Sequence, residues 1–113
     1  MHVVVLDDSR SARAMLKLRL ARYGVHTHEA ETESELIGLV RSQSPQAVFV
    51  DLNMPKVSGM DVMTRLRKSN PALQIYAFTG DESVATKNQL KENAVNGTVP
   101  KDFSGFDLDE LVR

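Results

Sequence analysis

The stretch AVFVDLNMP, residues 47–55, sends four apolar residues directly into a carboxylate, Asp51, and a proline closes the following loop at Pro55. A short apolar run bounded by turn residues reads as a strand buried on both faces. A charge at the edge of a core costs free energy unless something pairs with it or uses it. The rest of the chain shows what that could be.

The pattern recurs on both sides. Residues 3–6 are a β-branched run that ends on Asp7 and Asp8. Residues 73–78 read as a strand ending on Thr79, and residues 95–99 as a short strand followed by Lys101. Residues 25–29 alternate and read as an exposed or edge strand. Amphipathic stretches fill the gaps. Ser9 caps a predicted helix over about residues 10–22, ended by Tyr23-Gly24. TESE, residues 32–35, is a capping box opening a second helix, with Leu36, Leu39 and Val40 on its apolar side and Ser44-Pro45 as its stop. After the loop holding Pro55 and Gly59, a third helix is predicted at about residues 60–68, broken by Ser69-Asn70-Pro71. A fourth is predicted at about residues 82–92 and a short last one at about residues 107–113. Strands alternating with helices call for a parallel sheet covered on both faces, with right-handed crossovers.

Composition bounds the rest. The 113 residues suffice for one domain and one core, and the expectation is a single domain over residues 1–113 with no output domain. Lys plus Arg (14) balance Asp plus Glu (15), so net charge gives no case for nucleic acid. The absence of cysteine excludes disulfides and thiol catalysis. No apolar run approaches the roughly 20 residues of a membrane span, and MHVVVLDDSR at the N-terminus is no signal peptide. The cytoplasm is the expected location, with no membrane partner.

In an open parallel sheet the strand ends share one edge, and ligands bind there near the switch in strand order. Asp7, Asp8, Asp51, Thr79 and Lys101 all follow buried strands and so converge on that edge. Three carboxylates brought together repel unless a cation joins them. Mg²⁺ suits such oxygen ligands, completed by waters and phosphate oxygens. Lys101 and Thr79 suit phosphate oxygens. A carboxylate beside a metal, a lysine and a hydroxyl is a sensible nucleophile toward a phosphoryl group.

With these residues in view, the chain resembles a response-regulator receiver domain, the CheY-like phosphoacceptor module of two-component signalling and phosphorelays. The carriers are VLDDS (residues 5–9), VDLNMPKVSGMD (50–61), FTGD (78–81) and NGTVPKDF (96–103), spanning nearly the whole chain. The resemblance implies a flavodoxin-like (βα)5 fold with strand order 2-1-3-4-5. It implies phosphorylation of Asp51 by a histidine kinase or histidine phosphotransfer partner, and a downstream protein target. Asp8 would bind Mg²⁺ directly and Asp7 directly or through water, with the Asn53 backbone carbonyl a further ligand and Mn²⁺ able to substitute. Thr79 and Lys101 would contact the phosphoryl group, while Asn53 and Asp81 would tune its lifetime. Homodimers of such domains use the face of the fourth helix, fifth strand and fifth helix.

Two positions depart from the family pattern. Thr98 stands where the family has an aromatic residue, which bears on the output switch. Asp102 stands where it has a proline in a cis peptide, leaving either a trans Lys101–Asp102 bond with a reshaped loop or a cis bond held by the site. The competing readings are a static adaptor that is never phosphorylated and, more remotely, a Mg²⁺-dependent aspartyl phosphatase of the haloacid-dehalogenase type, whose motifs run in the opposite chain order. Elsewhere, His26 and His28 share a strand face, read as an exposed edge with a metal pair as the alternative. Arg10, Arg13 and Lys17 read as a solvated basic stripe, alternatively a docking face. Met54, Met60 and Met63 read as packing residues, as do Val84, Leu90 and Val95.

Overall fold

In the computed structural model, residues 1–80, 88–90, 92 and 95–103 are described. β1 (His2–Leu6) leads through α1 (Arg10–Ala21) to β2 (His26–Ala30), then α2 (Glu33–Gln43), β3 (Ala47–Asp51), α3 (Gly59–Ser69), β4 (Gln74–Thr79) and β5 (Gly97–Pro100). The strands form a five-stranded sheet in the order β2-β1-β3-β4-β5, with every neighbouring pair parallel. This is the parallel sheet that the alternation of elements called for and the flavodoxin-like strand order that the resemblance implied. Residues 88–90 and 92 are helical, inside the predicted fourth helix. Asp81, Val84 and the predicted last helix lie outside the described residues. Among the described residues no helix is long and apolar enough to cross a membrane.

Alternation along the strands divides the core in two. Val4, Leu6, Val48, Val50, Ile75 and Ala77 face the side packed with Leu36 of α2 and with Val62, Met63 and Leu66 of α3. Val3, Val5, Phe49, Phe78 and Val99 face the other side, against Leu16 and Leu20 of α1. β3 is buried along its whole length, Asp51 included, as the opening run of sequence required. Met54, Met63 and Leu90 are buried, and Met60 and Val95 pack at the core's margin.

Ser9 and Thr32 cap their helices as expected, and Ser58, not anticipated from the sequence, caps α3. Ser9, Thr32 and Ser58 accept hydrogen bonds from the N–H groups of Ala12, Glu35 and Asp61 at 3.3, 3.2 and 3.3 Å. Glu35 reaches back to the N–H of Glu31 at 3.3 Å, one residue beyond a standard capping box. The largest boundary correction is β5, which begins at Gly97, two residues later than expected. The N–H of Val95 bonds the carbonyl of Leu90 at 3.2 Å. Asn96 then inserts its side chain into the ladder: the Ile75 N–H donates to Asn96 Oδ1 at 2.8 Å. That amide oxygen stands in for a backbone carbonyl, so regular strand starts only after it.

Candidate functional site

The five polar strand-end residues meet at one rim, though not equally exposed. Asp7, Asp51 and Thr79 are buried, Lys101 is half-buried and Asp8 is open to solvent. Lys101 Nζ lies 3.0 Å from Asp7 Oδ2 and 3.3 Å from Asp51 Oδ1. Its ammonium lies over the Phe78 ring, with Nζ 5.5 Å from the centroid. β5 delivers it: the Lys101 N–H bonds the Thr79 carbonyl at 3.2 Å, prolonging the β4–β5 ladder past Pro100. Asp51 Oδ1 also accepts the Asn53 N–H at 3.0 Å, and Asn53 Nδ2 approaches Thr79 Oγ1 at 3.5 Å.

Carboxylate oxygens of Asp7, Asp8 and Asp51 lie within 4.8 Å of one another. Asp7 Oδ1 is held by the Ser9 N–H at 2.8 Å. Asp7 Oδ2 is buried, with Lys101 Nζ against it at 3.0 Å. Burial raises the Asp7 carboxyl above its ordinary value, and the nearby Asp51 adds to this against the opposing pull of Ser9 and Lys101. Burial alone would lower Lys101, but Asp7 and Asp51 outweigh it and hold the ammonium above its ordinary value. Three carboxylates crowded around a single ammonium make an all-oxygen donor set that fits a hard divalent cation. Asp7, Asp8 and Asp51 could hold one.

Arg13 was not legible as part of this site. Rather than lying on a solvated stripe, it is 4% exposed, while Arg10 and Lys17 are exposed. Its guanidinium donates to the Asp7 carbonyl at 2.6 Å, to Glu29 at 3.1 Å and to Glu31 at 3.1 Å. It thus ties the end of β1 to the end of β2, immediately behind Asp7. The available signal was its spacing: Arg13, Leu16 and Leu20 form the buried stripe of α1. Arg13→Met is expected to cost about 2 kcal/mol, because it strips a buried carbonyl of its donor. Arg13→Lys should recover only part, since an ammonium cannot span these partners. Urea denaturation would check both.

The loop after β5 takes the trans alternative: no cis peptide bond occurs among the described residues. Residues 100–103 make a turn closed by the Phe103 N–H on the Pro100 carbonyl at 2.9 Å, with Phe103 at φ 62°. Phe103 is buried beside Phe78 and under the Arg19 guanidinium, 4.5 Å from its ring centroid. Thr98 is half-buried on β5, paired with Ala77.

Residues 3–113 match the response regulator receiver domain family. The chain belongs to that family. Response regulator MprA of Mycolicibacterium vanbaalenii is 30% identical over 110 residues, covering 97% of this chain and 46% of that protein. MprA of Mycobacterium avium is 29% identical over 112 residues, covering 99% and 48%. The chain thus spans about half the length of these curated relatives. Among solved structures, a LuxR-family two-component response regulator from Aurantimonas superposes with a TM-score of 0.82 at 26% identity, covering 98% of this chain and 79% of that one. The chemotaxis protein CheY4 of Vibrio cholerae gives 0.82 at 22%, covering 98% and 92%, and so shares the fold. Receiver domains act in two-component signalling, are phosphorylated on aspartate and work with histidine kinases. They are signalling modules, which sets the phosphatase reading aside.

Proposed function

We propose that this receiver domain is a phosphorylation-controlled switch that takes a phosphoryl group onto Asp51 from a histidine kinase or histidine phosphotransfer protein, with Mg²⁺ required. The observation that carries the reading is the Asp51 carboxylate itself, 1% exposed yet facing Lys101 Nζ at 3.3 Å and the oxygens of Asp7 and Asp8. Asp7, Asp8, Asp51 and the Asn53 carbonyl would hold the cation, which when bound supplies charge to offset that of the phosphoryl oxygens. A carboxylate oxygen of Asp51 forms the new O–P bond as the P–N bond to the donor imidazole breaks. The electron pair of that bond stays on the departing nitrogen. Lys101, raised and therefore charged, balances the transferring group's oxygens. The Thr79 hydroxyl, buried at the end of β4, would hydrogen-bond one of them. The Asn53 N–H fixes the carboxylate rotamer through Oδ1.

Incubation with a small phosphodonor and Mg²⁺, followed by intact mass, tests this. One added phosphoryl group is expected for the wild type, and none for Asp51→Asn or with EDTA present. No adduct where Mg²⁺ demonstrably binds would overturn the switch and favour the static adaptor, a reading to which Thr98 lends itself because no aromatic follows the phosphoryl state there.

A further inference from the structure

All three histidines of the chain gather at the start of the sheet, away from the acidic rim. His2 opens β1 and His26 opens β2, and the two are register partners. His28 lies two residues on, with Val4 as its partner, so the three side chains share the face that carries Val4 and Ala30. His26 is exposed and the other two are half-buried, so solvent reaches the group.

The closest contact joins two ring nitrogens. Nδ1 of His2 lies 3.0 Å from Nε2 of His28. The ring planes are inclined by 19° and the centroids lie 5.3 Å apart. That separation equals the N···N distance plus the two ring radii. The rings therefore meet edge to edge, nitrogen facing nitrogen, in an N–H···N hydrogen bond. Such a bond needs a lone pair on one ring, so at least one imidazole is neutral. The His26 ring sits 5.1 Å from that of His2, centroid to centroid.

We infer that His2 and His28 form a second metal site, for a late first-row divalent cation of the Zn²⁺ or Ni²⁺ class, with His26 as a third ligand. Two imidazole nitrogens on one tetrahedral Zn²⁺ at 2.0–2.1 Å stand about 3.3 Å apart. The pair in hand differs from that by a few tenths of an ångström, and each ring turns by roughly 35° for its lone pair to leave the N···N line and meet a tetrahedral cation. The metal takes the place of the shared proton: a neutral donor ring shifts that proton to its other nitrogen, and an imidazolium releases it to solvent. His26, stacked on His2 with ring centroids 5.1 Å apart, has to turn about its side-chain torsions to bring a nitrogen to the same cation. Ligand type separates this site from the acidic rim: imidazole selects borderline cations, whereas carboxylates and carbonyls suit Mg²⁺. The chain holds no cysteine and no other histidine to compete.

The test is calorimetric titration of the untagged chain with ZnCl₂ in excess Mg²⁺, which occupies the acidic rim. One Zn²⁺ per chain is expected. His2→Gln and His28→Gln should each weaken binding at least tenfold, and His26→Gln by less. In the wild type, the imidazole NMR signals of His2 and His28 should shift together on adding Zn²⁺, a readout independent of any variant's folding. No binding, binding unchanged in His28→Gln, or imidazole signals that stay put would overturn the site.

Discussion

Gly59→Ala is expected to lower Tm by at least ~10 °C, more than a conservative change at a helix start ordinarily costs. A Cβ at this position would overlap the carbonyl oxygen of Asp51 and come within 2.9 Å of the Leu52 Cα and 3.0 Å of the Asp51 carbonyl carbon. All three are backbone atoms, so no side chain can rotate away. Either α3 moves off the sheet or the end of β3 moves, and overpacking of that kind costs about 3 kcal/mol. Val62, Met63 and Leu66 lie in the same core cluster as Val48 and Val50, so moving the helix opens that core. The alternative displaces Asp51 itself, so phosphoryl acceptance should fall along with stability. Gly38→Ala supplies the contrast. Gly38 lies within α2 with open space around it, and alanine there should stabilise by roughly 0.5–1 kcal/mol. Thermal melts of the two variants should move in opposite directions. An unchanged Tm for Gly59→Ala would mean that α3 does not seat against Asp51 as described.

The contrast also marks what the sequence could tell. Asp7, Asp51, Thr79 and Lys101 were legible because each follows an apolar run, and a parallel sheet brings such ends to one edge. That inference needs only order and period. Arg13 was not legible in the same way. Its burial depends on Glu29 and Glu31, which reach it only once β2 lies beside β1. Helical spacing fits Arg13 equally to Arg10 and Lys17, which stay in solvent, and to Leu16 and Leu20, which are buried, so it could not decide between them. His2 escaped notice for a related reason: it joins His28 through the register of two strands rather than through proximity in the chain. The start of β5 was misplaced because Asn96 uses a side-chain oxygen where the ladder would use a carbonyl. A backbone-like role for an amide side chain leaves no trace in periodicity.

Lys101→Met and Asp7→Asn should shift the stability of the metal-free protein in opposite directions. Two buried carboxylates, Asp7 and Asp51, share one ammonium at 3.0 and 3.3 Å. Removing the ammonium leaves both without a counter-charge, a loss of about 2 kcal/mol once the partial exposure of Lys101 is allowed for. Removing one carboxylate instead leaves a balanced Asp51–Lys101 pair. Because the folded state holds the Asp7 carboxyl above its ordinary value of 3.8, ionising Asp7 costs stability. At low pH, below 3.8, Asp7 is protonated in both folded and unfolded chains, and its contribution is fully present. It is lost as pH rises through the raised value. The advantage of Asp7→Asn should therefore be absent in acid and appear toward neutral pH, as a Tm gain of roughly 5 °C. Saturating Mg²⁺ should reorder the series. A cation bound only to the folded state stabilises by about 2.7 kcal/mol at a hundred times its Kd. The wild type and Lys101→Met gain this, whereas Asp7→Asn, short of a ligand, does not. Melts with and without Mg²⁺ at two pH values would decide it. If both variants lost stability without metal, the like-charge repulsion ascribed to Asp7 and Asp51 would be wrong. The case for a cation as the missing counter-charge would weaken with it.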